Sequence, residues 1–275
     1  MRVRASGYGL VEGPRFDAMG GLYYSDVHNG GVNYLSPGGE VTLIVPKRKG
    51  VGGIALHAQG GIVVSGRNIC HVKDGVTRIL FDPPDTPGFN DLFTDAAGRV
   101  YVGTMRSKPF RFEGERVLGE LWRIEGEGVA TELYGDVSLT NGIGFSPDGS
   151  RIYHSDTARR HIIAHDVSAD GTLSGRRAFA SLDRGAPDGL AVDVDGFVWV
   201  AAYGGSCVSR FDPDGKFERH VEVPAKAVTS LCFGGEDGCD LVIATADNTD
   251  DPTLAGCILQ TRSPVAGLPA PFATL

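Results

Sequence analysis

The chain has 275 residues, 41% of them apolar, and its 34 acidic side chains outnumber 26 basic ones for a formal charge of −8. Its strongest basic cluster is the short PKRKG at 46–50, so nucleic acid and anionic membrane surfaces are not expected partners. No apolar run approaches the length of a membrane span. Residues 1–16 lack the apolar stretch of a secretory leader, so a cytoplasmic location is expected.

Forty glycines and 15 prolines interrupt the chain too often for long helices. Six segments instead share one form: a half-apolar strand, a Gly- or Asp-containing turn, and a more apolar strand. In chain order they are EGPRFDAMGGLYYSD from Glu12, GGIALHAQGGIVVSG from Gly52, NDLFTDAAGRVYVGT from Asn90, NGIGFSPDGSRIYHSD from Asn141, DGLAVDVDGFVWVAA from Asp188 and TSLCFGGEDGCDLVIAT from Thr229. Their starts lie 38 to 51 residues apart. That period suits a four-stranded propeller blade, so an all-β, six-bladed β-propeller with antiparallel blades is expected, one domain over residues 1–275.

Aligning the units gives columns. Two residues in stand Pro14, Ile54, Leu92, Ile143, Leu190 and Leu231, and four residues in stand Phe16, Leu56, Thr94, Phe145, Val192 and Phe233. Mostly small residues lie between them: Gly13, Gly53, Asp91, Gly142, Gly189 and Ser230. Such period-two alternation marks a strand with two unlike faces. The second strands (LYY, IVV, VYV, IYH, VWV, LVI) are apolar enough to be covered on both faces, and turns such as SPDG and DVDG carry hairpin signals. The segment near Val3 is expected to complete the last sheet and close the ring.

In a propeller the first strand of each blade lines the central channel. The unit heads Glu12, Gly52, Asn90, Asn141, Asp188 and Thr229 then stand at one height around its mouth. An isolated Asn141 in TNG reads equally as a turn residue, but four of six heads carry a carboxylate or carboxamide, and glutamate is a poor turn residue. Two carboxylates converging on an axis repel unless protonated or bridged by a cation. Oxygen donors suit one hard divalent ion such as Ca²⁺, Mg²⁺ or Mn²⁺, with Zn²⁺ or Fe²⁺ also compatible. Three or four protein ligands leave open positions of the kind a catalytic metal needs.

The blocks EGPRF, FND…GRVYVGTM, TNGIGFSPDG…IYHSD, PDGLAVDVDGFVWVAAYGG and TSLCFGG resemble the SMP-30/gluconolactonase/LRE family over nearly the whole chain. The resemblance implies a six-bladed propeller holding one divalent metal, and hydrolysis of sugar lactones. It places metal ligands at Glu12, Asn141 and Asp188, and at Asn90 a residue contacting substrate or the water on the ion. Many sugar lactonases carry an arginine two residues before that asparagine, where this chain has Gly88. Arg106 or Arg67 could supply a replacement donor, although each also reads as a solvated loop arginine.

The expected activity is metal-dependent opening of a lactone, a small-molecule substrate, to its hydroxy acid. The cation would stabilise the oxyanion, Asp188 would serve as ligand and general base, and Asn90 would orient the carbonyl or the water. Two alternatives stay open: a phosphotriesterase-like or other ester hydrolase on the same metal, and a non-catalytic metal-stabilised binding propeller. Other chemistries find no pattern, since neither G-x-S-x-G nor H-E-x-x-H is present. Five scattered cysteines without C-x-x-C read as buried thiols. His154 reads as a satisfied core histidine, Asp26 and Asp156 as loop-bonding carboxylates, and DVDG at 193–196 as a hairpin turn. The insertion between Asn90 and Asn141, which contains RSKPFRFEGERVLGE (106–120), is expected to shape the channel mouth.

Overall fold

A computed structural model describes residues 1–107, 116–246 and 251–275. It contains six four-stranded antiparallel sheets arranged as a ring, with one single-turn 3-10 helix at Pro252–Leu254. This is a six-bladed β-propeller. The innermost strands are Val11–Phe16, Ile54–Leu56, Phe89–Thr94, Thr140–Phe145, Ala186–Val192 and Val228–Gly234, numbered here as blades 1 to 6. Each packs on the next, and blade 6 returns to blade 1. Among the described residues no helix is long and apolar enough to cross a membrane.

Ring closure follows the expected route. Arg2–Ala5 is the outermost strand of blade 6, and Val3 pairs with Leu259. The N-terminal strand is thereby hydrogen-bonded to the last strand of the chain, so the ring cannot open without breaking a ladder.

Second strands such as Val100–Thr104 are buried throughout, because they lie between neighbouring sheets. Their side chains form the core between blades. Phe89, Leu92, Val100 and Val102 of blade 3 pack on Ala55, Val63 and Ile69 of blade 2, and the Trp199 ring lies edge-on to Phe233 of blade 6. Removal of this apolar surface from water is the main stabilising term, about 1.5–3 kcal/mol for each large side chain fully buried.

The hairpin turns repeat one device. In blade 5 Asp193 Oδ1 accepts from the N–H of Asp195 and Phe197, while Gly196 sits at φ +83°. Asp95 in blade 3 does the same for Ala97 and Arg99, with Gly98 at φ +81°. The carboxylate fixes the turn and glycine supplies the left-handed backbone. DVDG is therefore the hairpin its sequence suggested, and buried Asp193 also accepts from Trp199 Nε1 and Arg210.

The alternation of the inner strands needs one correction. The ladder to the second strand shifts between Glu12 and Arg15, Phe89 and Leu92, Thr140 and Ile143, Pro187 and Leu190, and Val228 and Ser230. Such irregularities bend the strand and re-aim side chains. They recur at the unit heads, so period two governs only the later half of each strand. Gly52 lies just before its strand.

Candidate active site at the channel mouth

The heads of the inner strands sit close because the small-residue column lets backbones approach. A Cβ on Gly142 would come within 2.4 Å of Leu190 N and 2.7 Å of Asp188 O, which holds blade 4 against blade 5. A Cβ on Gly52 would come within 2.2 Å of Asn90 Oδ1, so this glycine leaves room for the carboxamide of the next blade. Thr229, the blade 6 head, turns its hydroxyl to Val11 O at 2.6 Å and ties the ring instead of facing the axis.

Glu12, Asn141 and Asp188 are all buried, at 6%, 7% and 5% exposure. Glu12 of blade 1 and Asp188 of blade 5 feel each other across the channel. Burial drives the Glu12 carboxyl well above its ordinary range, and Asp188 and then Asp91 push it further. Asp188 is raised in the same way, by burial first and Asp91 second, while the Asn141 carboxamide and the Gly189 N–H lie against it and favour its ionised form. Its Oδ1 is buried without a hydrogen-bond partner. Asn141 Nδ2 meets Thr157 Oγ1 at 3.2 Å. Asn90 is half-buried and donates from Nδ2 to Thr140 O at 2.8 Å.

Three further residues belong to this cluster and were not singled out from sequence. Asp91 is fully enclosed, and burial pushes its carboxyl up to about 6 against the pull of Arg15 and the Leu92 N–H. Arg15, 6% exposed, bonds to Pro14 O at 2.8 Å and Leu92 O at 3.3 Å, and its guanidinium lies 5.3 Å from the Phe93 ring centre. The Tyr203 phenol is raised by burial and then by the charges of Asp188 and Glu12, so it lies within electrostatic reach of both. Asp91 had a signal, a lone acid in a column of glycines. Tyr203 closes a second strand and gave none.

An oxygen-only cation fits these donors. Two buried carboxylates with raised affinity for protons interact, one Asp188 oxygen lacks a hydrogen-bond partner, and the Asn141 carboxamide lies against Asp188. Among the described residues no three His, Cys, Asp or Glu side chains group so as to hold an ion. An ion here would need at least one oxygen from outside the acidic side chains, and the Asn141 carboxamide lies against Asp188.

The remaining expectations divide. Asp26 accepts from Gly9 N and Asn29, and Asp156 from Ser138 N and Leu139 N, so both brace loops. Neither arginine near Gly88 is a free donor. Arg67 is exposed and pairs with Asp82, whereas Arg106 is held by both oxygens of Glu120 at 2.7 and 3.0 Å. The middle of the 106–120 stretch, 108–115, lies outside the described residues. Four cysteines are buried and Cys239 is intermediate, all as free thiols. Cys207 Sγ does lie 3.5 Å from His220 Nδ1, and His220 Nε2 lies 3.3 Å from Asp183. That chain imitates a nucleophile with its base, but the thiol is fully buried and burial pushes its pKa up.

A cavity of about 1040 Å³ opens at the opposite end of the inner strands, beside Arg15, Phe93, Phe145, Val192 and Phe233. The C-terminal segment crosses it from Val192 of blade 5, bonded by Leu268 N, to Leu56 of blade 2, bonded by Ala273 N. The carboxylate cluster lies at the other mouth.

Comparison with known proteins gives a consistent picture. The family model described as the SMP-30/Gluconolactonase/LRE-like region matches residues 10–247. A 6-deoxy-6-sulfogluconolactonase of Pseudomonas putida is 33% identical over 91% of this chain and 90% of its own length. Pentonolactonase XacC of Haloferax volcanii is 31% identical over 84% of this chain and 79% of its own. Among solved structures, a regucalcin from Agrobacterium tumefaciens, described as a calcium-binding protein, superposes with a TM-score of 0.89 at 26% identity, covering 100% of this chain and 97% of that one.

Proposed function

Because the chain belongs to the SMP-30/Gluconolactonase/LRE-like family, we propose that it hydrolyses a sugar lactone to the hydroxy acid with the help of one divalent cation. Glu12, Asn141 and Asp188 would hold the ion. The observation that carries this reading is the buried Asp188 Oδ1 without a hydrogen-bond partner, on a carboxylate whose charge acts on a second buried carboxylate, Glu12. Such a pair is unfavourable without a counter-charge.

When bound, a divalent ion supplies Lewis-acid polarisation of the ester carbonyl and stabilises negative charge on its oxygen. The chain's own groups account for the rest. Asp188 takes the proton of the water that attacks the carbonyl carbon. Asn90, its amide anchored on Thr140 O, directs its free carbonyl toward substrate or water. Arg15 and Asp91 offset one another beneath the site. The C–O bond of the ring breaks as the ring oxygen leaves and takes up a proton.

The relatives' names support sugar lactones as the substrate class, and the regucalcin's description as calcium-binding supports Ca²⁺ as the ion. A pH-indicator assay over a panel of aldonolactones, with and without chelator, tests both. Hydrolysis that chelator removes and added cation restores is expected. Turnover of phosphotriesters alone, or of nothing in protein loaded with cation, overturns the lactonase reading.

A further inference from the structure

His154 is fully buried and uncharged, because burial lowers its pKa to about 3, yet both ring nitrogens are engaged. Nδ1 lies 2.6 Å from Tyr134 Oη and Nε2 lies 2.7 Å from Thr140 Oγ1. Either tautomer satisfies both contacts, because each partner is a hydroxyl that can donate or accept. Tyr134 is itself fixed, stacked on His165 at 4.4 Å with the Arg176 guanidinium 5.1 Å from its ring centre. A post thus runs from Tyr134 on the outermost strand of blade 3, through His154 on the second strand of blade 4, to Thr140 on its innermost one.

The post ends on a residue with two tasks. The Thr140 carbonyl receives the Asn90 carboxamide at 2.8 Å, and the next peptide begins Asn141. The Thr140 hydroxyl occupies a slot that exists only because Gly103 has no side chain, since a Cβ there would stand 1.7 Å from Oγ1. Asp156 and Thr157 hold the approach to this point, through Ser138 N, Leu139 N and Leu139 O. The Thr140 backbone is also registered against Asp156 in the ladder to the second strand, and His154 fixes the rotation of its side chain within that register.

We propose that His154 is a positioning residue: through Thr140 it sets the placement of two carboxamides, Asn90 and Asn141, at the channel mouth. It touches neither substrate nor ion. The inference rests on the reading of those asparagines as site residues, and the test separates the two claims.

Three variants suffice. Glutamine can place its terminal amide where Nε2 stood and keep Thr140, whereas asparagine reaches only the Nδ1 position. Thr140→Val removes the hydroxyl with little change of shape. Side-chain amide exchange of Asn90, read by NMR, needs neither ion nor substrate. It should quicken about tenfold in Thr140→Val and His154→Asn, and stay within about threefold of wild type in His154→Gln. Lactone kcat and Ca²⁺ affinity should follow the same order, with losses of about 10–100-fold in the first two variants. Wild-type exchange in all three variants, with only a lowered melting temperature, overturns the inference. If wild type neither binds Ca²⁺ nor opens glucono-δ-lactone, the lactonase reading falls, and the exchange data still decide the role of His154.

Discussion

Asp188 is asked for two things that conflict. A ligand and base must be ionised, while burial beside Asp91 and across from Glu12 favours the neutral acid. Removing the charge should therefore separate activity from stability. Asp188→Asn should lower kcat by about 10²–10⁴-fold, yet raise the melting temperature of cation-free protein, because a buried repulsion is gone. Steady-state kinetics beside calorimetry of the chelated variant checks both, and wild-type turnover would remove the residue from the mechanism. The same conflict sets a pH dependence. Asp91 holds its proton up to about 6 when folded, against 3.8 ordinarily, and Glu12 and Asp188 shift in the same direction. The folded state thus binds more protons than the unfolded one across that window, so stability of the cation-free protein falls as pH rises from about 4 through about 6 and beyond. Denaturant titrations of chelated protein should show that fall, and saturating cation should flatten it by replacing the protons. A chelated protein that gains stability over the same range would mean that the three carboxylates are not crowded together.

At the scale of elements, the inner strands and their glycines decide how near the blades can come. Gly53 faces Leu92 N, which a Cβ would approach to 2.3 Å, with Asp91 Oδ1 at 2.9 Å. Gly53→Ala should cost about 1–3 kcal/mol, read as a lower urea midpoint, because backbone rather than a flexible side chain must give way. An unchanged midpoint would show that blades 2 and 3 can separate freely. The repeat made these strands legible: unit heads, apolar second strands and Asx turns all recur in the sequence at blade spacing. The ladder shifts at Glu12, Phe89, Thr140 and Pro187 were not legible, because a bulge is a property of two paired strands. Arg15 and Tyr203 were hidden for a related reason. Each occupies an ordinary strand position and joins the carboxylate cluster only when the ring closes. His154 was readable as a satisfied core residue, but not as the support of Thr140, because its partners lie 14 and 20 residues away.

For the molecule as a whole, the ring has two ties across it, and the proposed cation would add a third. The N-terminal strand closes blade 6, the C-terminal segment spans the far mouth from blade 5 to blade 2, and an ion at the near mouth would join blades 1, 4 and 5. Such an ion binds only the folded ring, so cation at a hundred times its dissociation constant should add about 2.7 kcal/mol to stability. The most direct measurement is calorimetric titration of chelator-treated protein with Ca²⁺, in wild type and in Asn141→Leu. One ion per chain in wild type, with binding lost or weakened about a hundredfold in the variant, is the expected result. No binding in wild type, or the same affinity without the Asn141 carboxamide, would contradict a shared cation at the hub.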